Sequence, residues 1–152
     1  MSGLPGVQSL PEVANLTVYT PGLTQAQQLI GLTGVDVHLL GGQVEEAWLQ
    51  TIGTPREQGI KGLLVETLFL GAWGIDPDLD VVDSSPAICR VKAQYIRRAR
   101  SVVLLMDSSK LGRTGSMKIM PLEDVDVLIT DSGITDDQHE RLGGLDLELV
   151  IA

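Results

Sequence analysis

The chain has 152 residues, eleven Lys and Arg against twenty Asp and Glu, and a formal charge of -9. Such a balance repels a polyanion and cannot supply the counterion release that drives DNA binding, so no DNA contact is expected of this chain itself. With 43% hydrophobic residues but one Phe, two Trp and two Tyr, the core must be built from Leu, Val and Ile, the composition of buried parallel strands in one compact domain.

Residues 1–15 carry Gly3, Pro5, Gly6 and Pro11 without a sustained period and read as an irregular N-terminal arm, with the packed domain over 16–152. Leu16-Thr17-Val18-Tyr19 is a short strand stopped by Thr20-Pro21-Gly22. Thr24 then caps a helix through Leu29 and Ile30, and Val35 to Leu40 is a second strand ended by Gly41-Gly42. A short helix follows over Thr54 to Gly62 and a buried strand over Leu63 to Leu70, which breaks at Gly71-Ala72-Trp73-Gly74-Ile75-Asp76. Pro86 to Arg100 is amphipathic, with Ile88, Val91, Tyr95, Ile96 and Ala99 on its apolar face and Pro86 in the first turn. Strands at Val102 to Met106, Met117 to Met120, Val125 to Thr130 and Leu145 to Ile151, with a helix over Thr135 to Leu142, complete the pattern. Helices keep separating strands, which predicts an α/β fold: a three-layer, mainly parallel sheet with helices on both faces.

Chemistry is concentrated where the strand Val102 to Met106 breaks into Asp107-Ser108-Ser109-Lys110-Leu111-Gly112 and where Val125 to Thr130 ends at Asp131. The carboxyl edge of a parallel sheet is the usual ligand rim. There Lys110 offers a point charge to an anion, while Asp107 and Asp131 accept hydrogen bonds from hydroxyls. A sugar phosphate needs both. The bland readings are a strand-ending turn for the first loop and an Asx turn or helix cap at Asp131. Gly71 and Gly74 suit either a phosphate-cradling loop or an ordinary turn. Trp73 stacks on a sugar or simply packs at the surface, and Lys92 is a ligand group or a solvated helix charge. Cys89 reads as a small core residue, and a lone cysteine excludes a disulfide and a multi-cysteine metal site. His38 and His139 have no ligand pattern around them, so neither a metal nor another cofactor is expected. Without a leader-like segment or an apolar run of about 18 residues, a cytoplasmic location with no membrane partner is expected.

Taken in order, Leu16 to Thr20, Leu39-Leu40-Gly41-Gly42, Phe69 to Asp76, Val91-Lys92, Val103 to Gly112 and Val125 to Asp131 resemble the effector-binding domain of DeoR-type transcriptional repressors. The resemblance implies a Rossmann-like sheet related to ribose-5-phosphate isomerase that binds a phosphorylated sugar or similar metabolite. It points to Thr20, Gly41, Gly42, Gly71, Trp73, Asp76, Lys92, Asp107, Ser109, Lys110 and Asp131 as ligand contacts, with Lys92 and Lys110 neutralising phosphate. It also implies a homo-oligomer that meets DNA only through an N-terminal winged helix absent from this chain. The pattern departs from the family in three places. The first strand with its phosphate loop would precede Leu16, Thr20-Pro21-Gly22 stands where Thr-Asn-Ser is usual, and Ala87-Ile88-Cys89-Arg90 leaves Lys92 without the acid often found upstream. Two other readings compete: a sugar-phosphate isomerase, which needs a carboxylate base and a stabiliser for the enediolate, and a ligand-free oligomerisation module.

Overall fold

The structure, a computed structural model, describes residues 15–152, so the expected irregular arm lies outside the described residues except for Asn15. The chain divides into two compact units, the first ending at Lys61 and the second starting at Gly62.

In the second unit, β5 (Val65–Gly71), β8 (Ala99–Leu105), β10 (Val127–Thr130) and β11 (Glu148–Ile151) form a four-stranded parallel sheet in the order β11-β10-β8-β5. Strand β8 is central, and Val102, Val103 and Leu104 are buried in succession. Burial on both faces is what a continuous apolar run selects over alternation. The sheet is flanked by helices: α3 (Pro86–Ile96) packs against β5 and β8, and α4 (Asp136–Gly143) sends Leu142 into the core with Leu70, Leu104 and Leu128. A capping box starts α4, in which the Thr135 hydroxyl accepts from the Gln138 N–H and Gln138 Oε1 accepts from the Thr135 N–H. This is the expected α/β class with a mainly parallel sheet.

A second, three-stranded sheet of β6 (Gly74–Ile75), β7 (Asp80–Asp83) and β9 (Met117–Pro121) pairs antiparallel throughout. Not every pair of successive strands is separated by an α-helix here. From β8 to β10 the chain passes through two 3-10 turns, Ser108–Lys110 and Leu122–Asp124, and through β9. The amphipathic segment also ends earlier than its period suggests. Helix α3 stops at Ile96 and β8 already begins at Ala99, so Ala99 belongs to the sheet. The last strand starts at Glu148 instead of Leu145.

The first unit pairs β1 (Leu16–Thr20) with β2 (Val35–Leu39) in parallel across α1 (Leu23–Leu29). Gly22, not Thr24, occupies the N-cap, and it makes no side-chain cap bond. A hairpin of β3 (Gln43–Glu45) and β4 (Gln50–Ile52), unseen in the sequence, precedes α2 (Thr54–Gly59), which ends three residues short of expectation. Tyr19 and His38 stack on neighbouring strands with centroids 4.8 Å apart, which makes His38 the strand side chain the sequence suggests. No helix among the described residues is long and apolar enough to cross a membrane.

Candidate functional site

Strand register builds the rim. Gly71 of β5 and Ile129 of β10 both pair with Leu105, the last residue of β8. Three parallel strands therefore finish at one level, and the segments after them leave the sheet as neighbours. One carries Ala72 and Trp73, the next Asp107 to Lys110, the third Asp131 to Gly133.

After β8, Met106 is still buried and Asp107 is the first exposed residue. Asp107 caps the tight turn that follows, its Oδ1 accepting from the Ser109 N–H at 3.2 Å and from the Ser109 hydroxyl. The turn swings Lys110 back, so that its Nζ lies 3.8 Å from Asp107 Oδ2 and 3.4 Å from the Ala72 carbonyl. The Ser109 hydroxyl, with the Lys110 ammonium adding to it, holds the Asp107 carboxyl below its usual range despite some desolvation. The acid is ionised at neutral pH and available to accept.

Asp131 fastens this turn from the neighbouring strand. Its Oδ2 accepts from the Ser108 N–H at 2.8 Å, and its Oδ1 accepts from the Ser108 hydroxyl and the Gly133 N–H, each at 2.7 Å. The Ser108 hydroxyl foremost, then the two N–H groups, pull its carboxyl below the usual range. Most of its accepting capacity is spent on protein donors. A Cβ on Gly133 would meet Ser108 Oγ at 2.5 Å and Asp131 Oδ1 at 2.8 Å, so a larger residue there would force the clamp's side chains to shift.

Lys92, on α3, donates to Asp83 Oδ2 at 2.5 Å and to the Gly71 carbonyl at 2.7 Å. Asp83 is the residue that sequence reasoning missed. No acid stands at 87–90, but the end of β7 delivers one, and its second oxygen accepts from the Ser84 N–H at 2.8 Å. Short, unsensed strands and a turn at Asp76 hid it. Cys89, on the same helix, is buried as expected, its Sγ 3.7 Å from the Met117 carbonyl. Burial first, and the Asp83 charge after it, push its thiol up.

The other expected contacts have partners within their own units. The Trp73 indole N–H donates to the Thr114 carbonyl at 3.2 Å, and the Arg113 guanidinium sits over the ring at 3.7 Å, so the aromatic face is engaged within the protein. Gly74 serves a close approach inside the fold, since a Cβ there would lie 2.6 Å from the Arg113 carbonyl oxygen. Asp76 Oδ1 accepts from the Asp78 and Asp80 N–H groups, both at 3.0 Å. It borders a hollow of about 210 Å³ shared with Leu111, Gly112, Thr135 and Arg141. Thr20, Gly41 and Gly42 belong to the first unit. There the Thr20 hydroxyl accepts from the Gly22 N–H at 3.1 Å, and Gly42 holds φ 146° with Ile52 O 2.3 Å from where a Cβ would stand. No group of three or more His, Cys, Asp or Glu among the described residues gathers to hold a metal ion.

Residues 6–132 match the family model described as the DeoR C terminal sensor domain. Among curated proteins, the chain is 33% identical over 125 residues to the uncharacterized HTH-type transcriptional regulator YulB of Bacillus subtilis, covering 82% of this chain and 48% of that protein. It is 31% identical over 127 residues to the transcriptional repressor AccR of Agrobacterium fabrum, covering 83% and 49%. It is 29% identical over 107 residues to the HTH-type transcriptional regulator GlpR of Haloferax volcanii, covering 70% and 42%. The chain spans about half the length of the curated relatives it matches.

Proposed function

The chain belongs to the DeoR C-terminal sensor-domain family, and we propose that it binds a phosphorylated sugar or a similar anionic polyol at the Asp107 to Lys110 turn. The observation that carries this reading is the adjacency of one ammonium and one carboxylate at the rim, both partly open to solvent and 3.8 Å apart. The ammonium takes the phosphate as a point charge, and the carboxylate and the Ser109 hydroxyl take sugar hydroxyls. Asp131 contributes by holding the turn through Ser108, with one lone-pair direction left for the ligand.

In the intact regulator the signal passes to DNA through a domain outside this chain. The acidic sensor itself contributes no DNA contact, and a homo-oligomer is the unit that switches. Ligand binding biases that assembly only to the extent that its two states differ in affinity for the ligand. Relatives named as regulators support sensing over catalysis. Asp83, the acid nearest Lys92, has both oxygens engaged and serves as a counter-ion.

Calorimetric titration with ribose 5-phosphate, glucose 6-phosphate and glycerol 3-phosphate tests the assignment. Lys110→Ala is expected to remove about 1.5 to 3 kcal/mol of binding free energy, the range of a charge-assisted contact. Unchanged affinity in that variant, or silence from every phosphate ester with the full-length regulator, rejects it.

A further inference from the structure

Two ammonium groups lean on successive carbonyls of one segment. Lys92 holds Gly71 O at 2.7 Å from α3, and Lys110 meets Ala72 O at 3.4 Å from the rim turn. Their surroundings differ. The Lys92 side chain is 20% exposed and its partner Asp83 6%, at 2.5 Å, whereas Lys110 and Asp107 are 32% and 51% exposed at 3.8 Å. Asp83 is itself immobilised, one oxygen on Lys92 and the other on the Ser84 N–H, while the Ser116 N–H donates to its carbonyl at 2.9 Å.

We infer that Lys92 is a positioning residue: braced by Asp83, its ammonium fixes the end of β5, and through the next carbonyl it sets where Lys110 presents its charge. The brace runs from β7 through α3 to the last residue of β5, so it ties the antiparallel sheet to the rim of the parallel one. A lysine with two short acceptors and little exposure has its charge compensated already, and an incoming phosphate would have to displace a buried carboxylate to reach it. Lys110 has a long, partly exposed ion pair and a long bond to the Ala72 carbonyl to give up. The two lysines that the family resemblance implies as phosphate ligands thus divide the work: one carries the ligand charge, the other shapes its seat. In its ligand arm this inference rests on the proposed reading of Lys110.

The test pairs a ligand-free measurement with a ligand-dependent one, on Lys92→Met and on the double variant Asp83→Asn with Lys92→Met, which removes both buried charges and keeps the fold measurable if the single variant unfolds. The Trp73 N–H donates to the Val82 carbonyl at 3.2 Å, giving a protected amide beside the brace. Hydrogen exchange at residues 72–74 is expected to quicken by about tenfold or more in the double variant while the β10 amides keep their protection; unchanged exchange at 72–74 overturns the brace. In the second arm, ribose 5-phosphate affinity is measured across ionic strengths. Lys92→Met, or the double variant in its place, should weaken binding severalfold and keep its salt dependence, whereas Lys110→Met should flatten that dependence. Equal flattening by both lysine variants overturns the division by placing Lys92 on the anion. If the wild type binds none of the phosphate probes, the sensor reading fails while the exchange arm still decides the brace.

Discussion

Two acid–lysine pairs lie near the rim of one sheet, and they share residue types but not duties. Asp83 and Lys92 touch at 2.5 Å with both side chains largely out of water, and Asp107 and Lys110 stand 3.8 Å apart, half in solvent. Burial decides the difference. A desolvated ion pair survives only with close geometry and extra hydrogen bonds, which the Gly71 carbonyl and the Ser84 N–H supply. An exposed pair is worth little to the fold and is correspondingly easy to exchange for a ligand. Residue identity alone therefore says less about function than the number of bonds each charge already makes.

The sharpest way to break this contrast is Lys92→Met. Leaving Asp83 buried without its cation should lower unfolding free energy by about 3 to 5 kcal/mol in urea titrations, and adding Asp83→Asn should recover most of it. If the single variant is as stable as wild type, the pair is not the brace described. Next comes Gly133→Ala. A Cβ at 2.5 Å from Ser108 Oγ must push the Asp131 clamp apart, at about 1 to 3 kcal/mol, the usual scale of a steric intrusion into a packed site. It should weaken sugar-phosphate binding alongside, because the same clamp holds the turn that bears Lys110. Loss of stability without loss of affinity would detach Asp131 from the site.

How much of this was legible follows from what each segment must bury. Val102 to Met106 and Val125 to Thr130 announce themselves because central parallel strands are apolar on both faces. The loop after the first declares its chemistry by placing Asp107 and Lys110 together. The hairpins stayed hidden because Gln43–Glu45 and Gln50–Ile52 are short and mostly polar, and because the β6–β7 link is organised by Asp76, whose side chain replaces a backbone partner for the N–H groups of residues 78 and 80. Missing β7 meant missing Asp83. At Arg97 and Arg98 the apolar period runs on into Ala99, yet the chain leaves the helix there. Periodicity cannot tell a helix face from the first residue of the next strand when both are apolar. Asp131 is the instructive middle case. Local sequence suggests an Asx turn, which its bond to the Gly133 N–H bears out, but its grip on Ser108 comes from a segment 23 residues away.

A milder probe of the exposed pair is Asp107→Asn. With both partners open to solvent, stability should change by less than about 0.5 kcal/mol. Its effect on binding should depend on the probe. Inorganic phosphate, which competes with the carboxylate for Lys110, should bind as well or better, and ribose 5-phosphate, which loses a hydroxyl acceptor, should bind worse. Parallel losses for both probes would mean that Asp107 does not discriminate hydroxyls.

The smallest effect is on acid stability, and it probes the Asp131 clamp without any ligand. Asp131 and Asp107 both titrate lower in the folded chain than an ordinary carboxylate, so the unfolded chain binds more protons and stability must fall as the medium is acidified. The contribution is complete well above the unfolded value of about 3.9. It fades from roughly pH 5 downward and is lost as pH falls through the depressed folded values. Denaturant midpoints at about pH 6, 4.5 and 3 should thus drop progressively for wild type. Asp131→Asn starts lower at pH 6, because the amide cannot accept from Ser108 and Gly133 together with the strength of a carboxylate, and its profile should be flatter by the Asp131 share. A variant profile parallel to wild type would show that the bonds to Ser108 and Gly133 do not favour the ionised acid, and the clamp on the turn would then lack its electrostatic half.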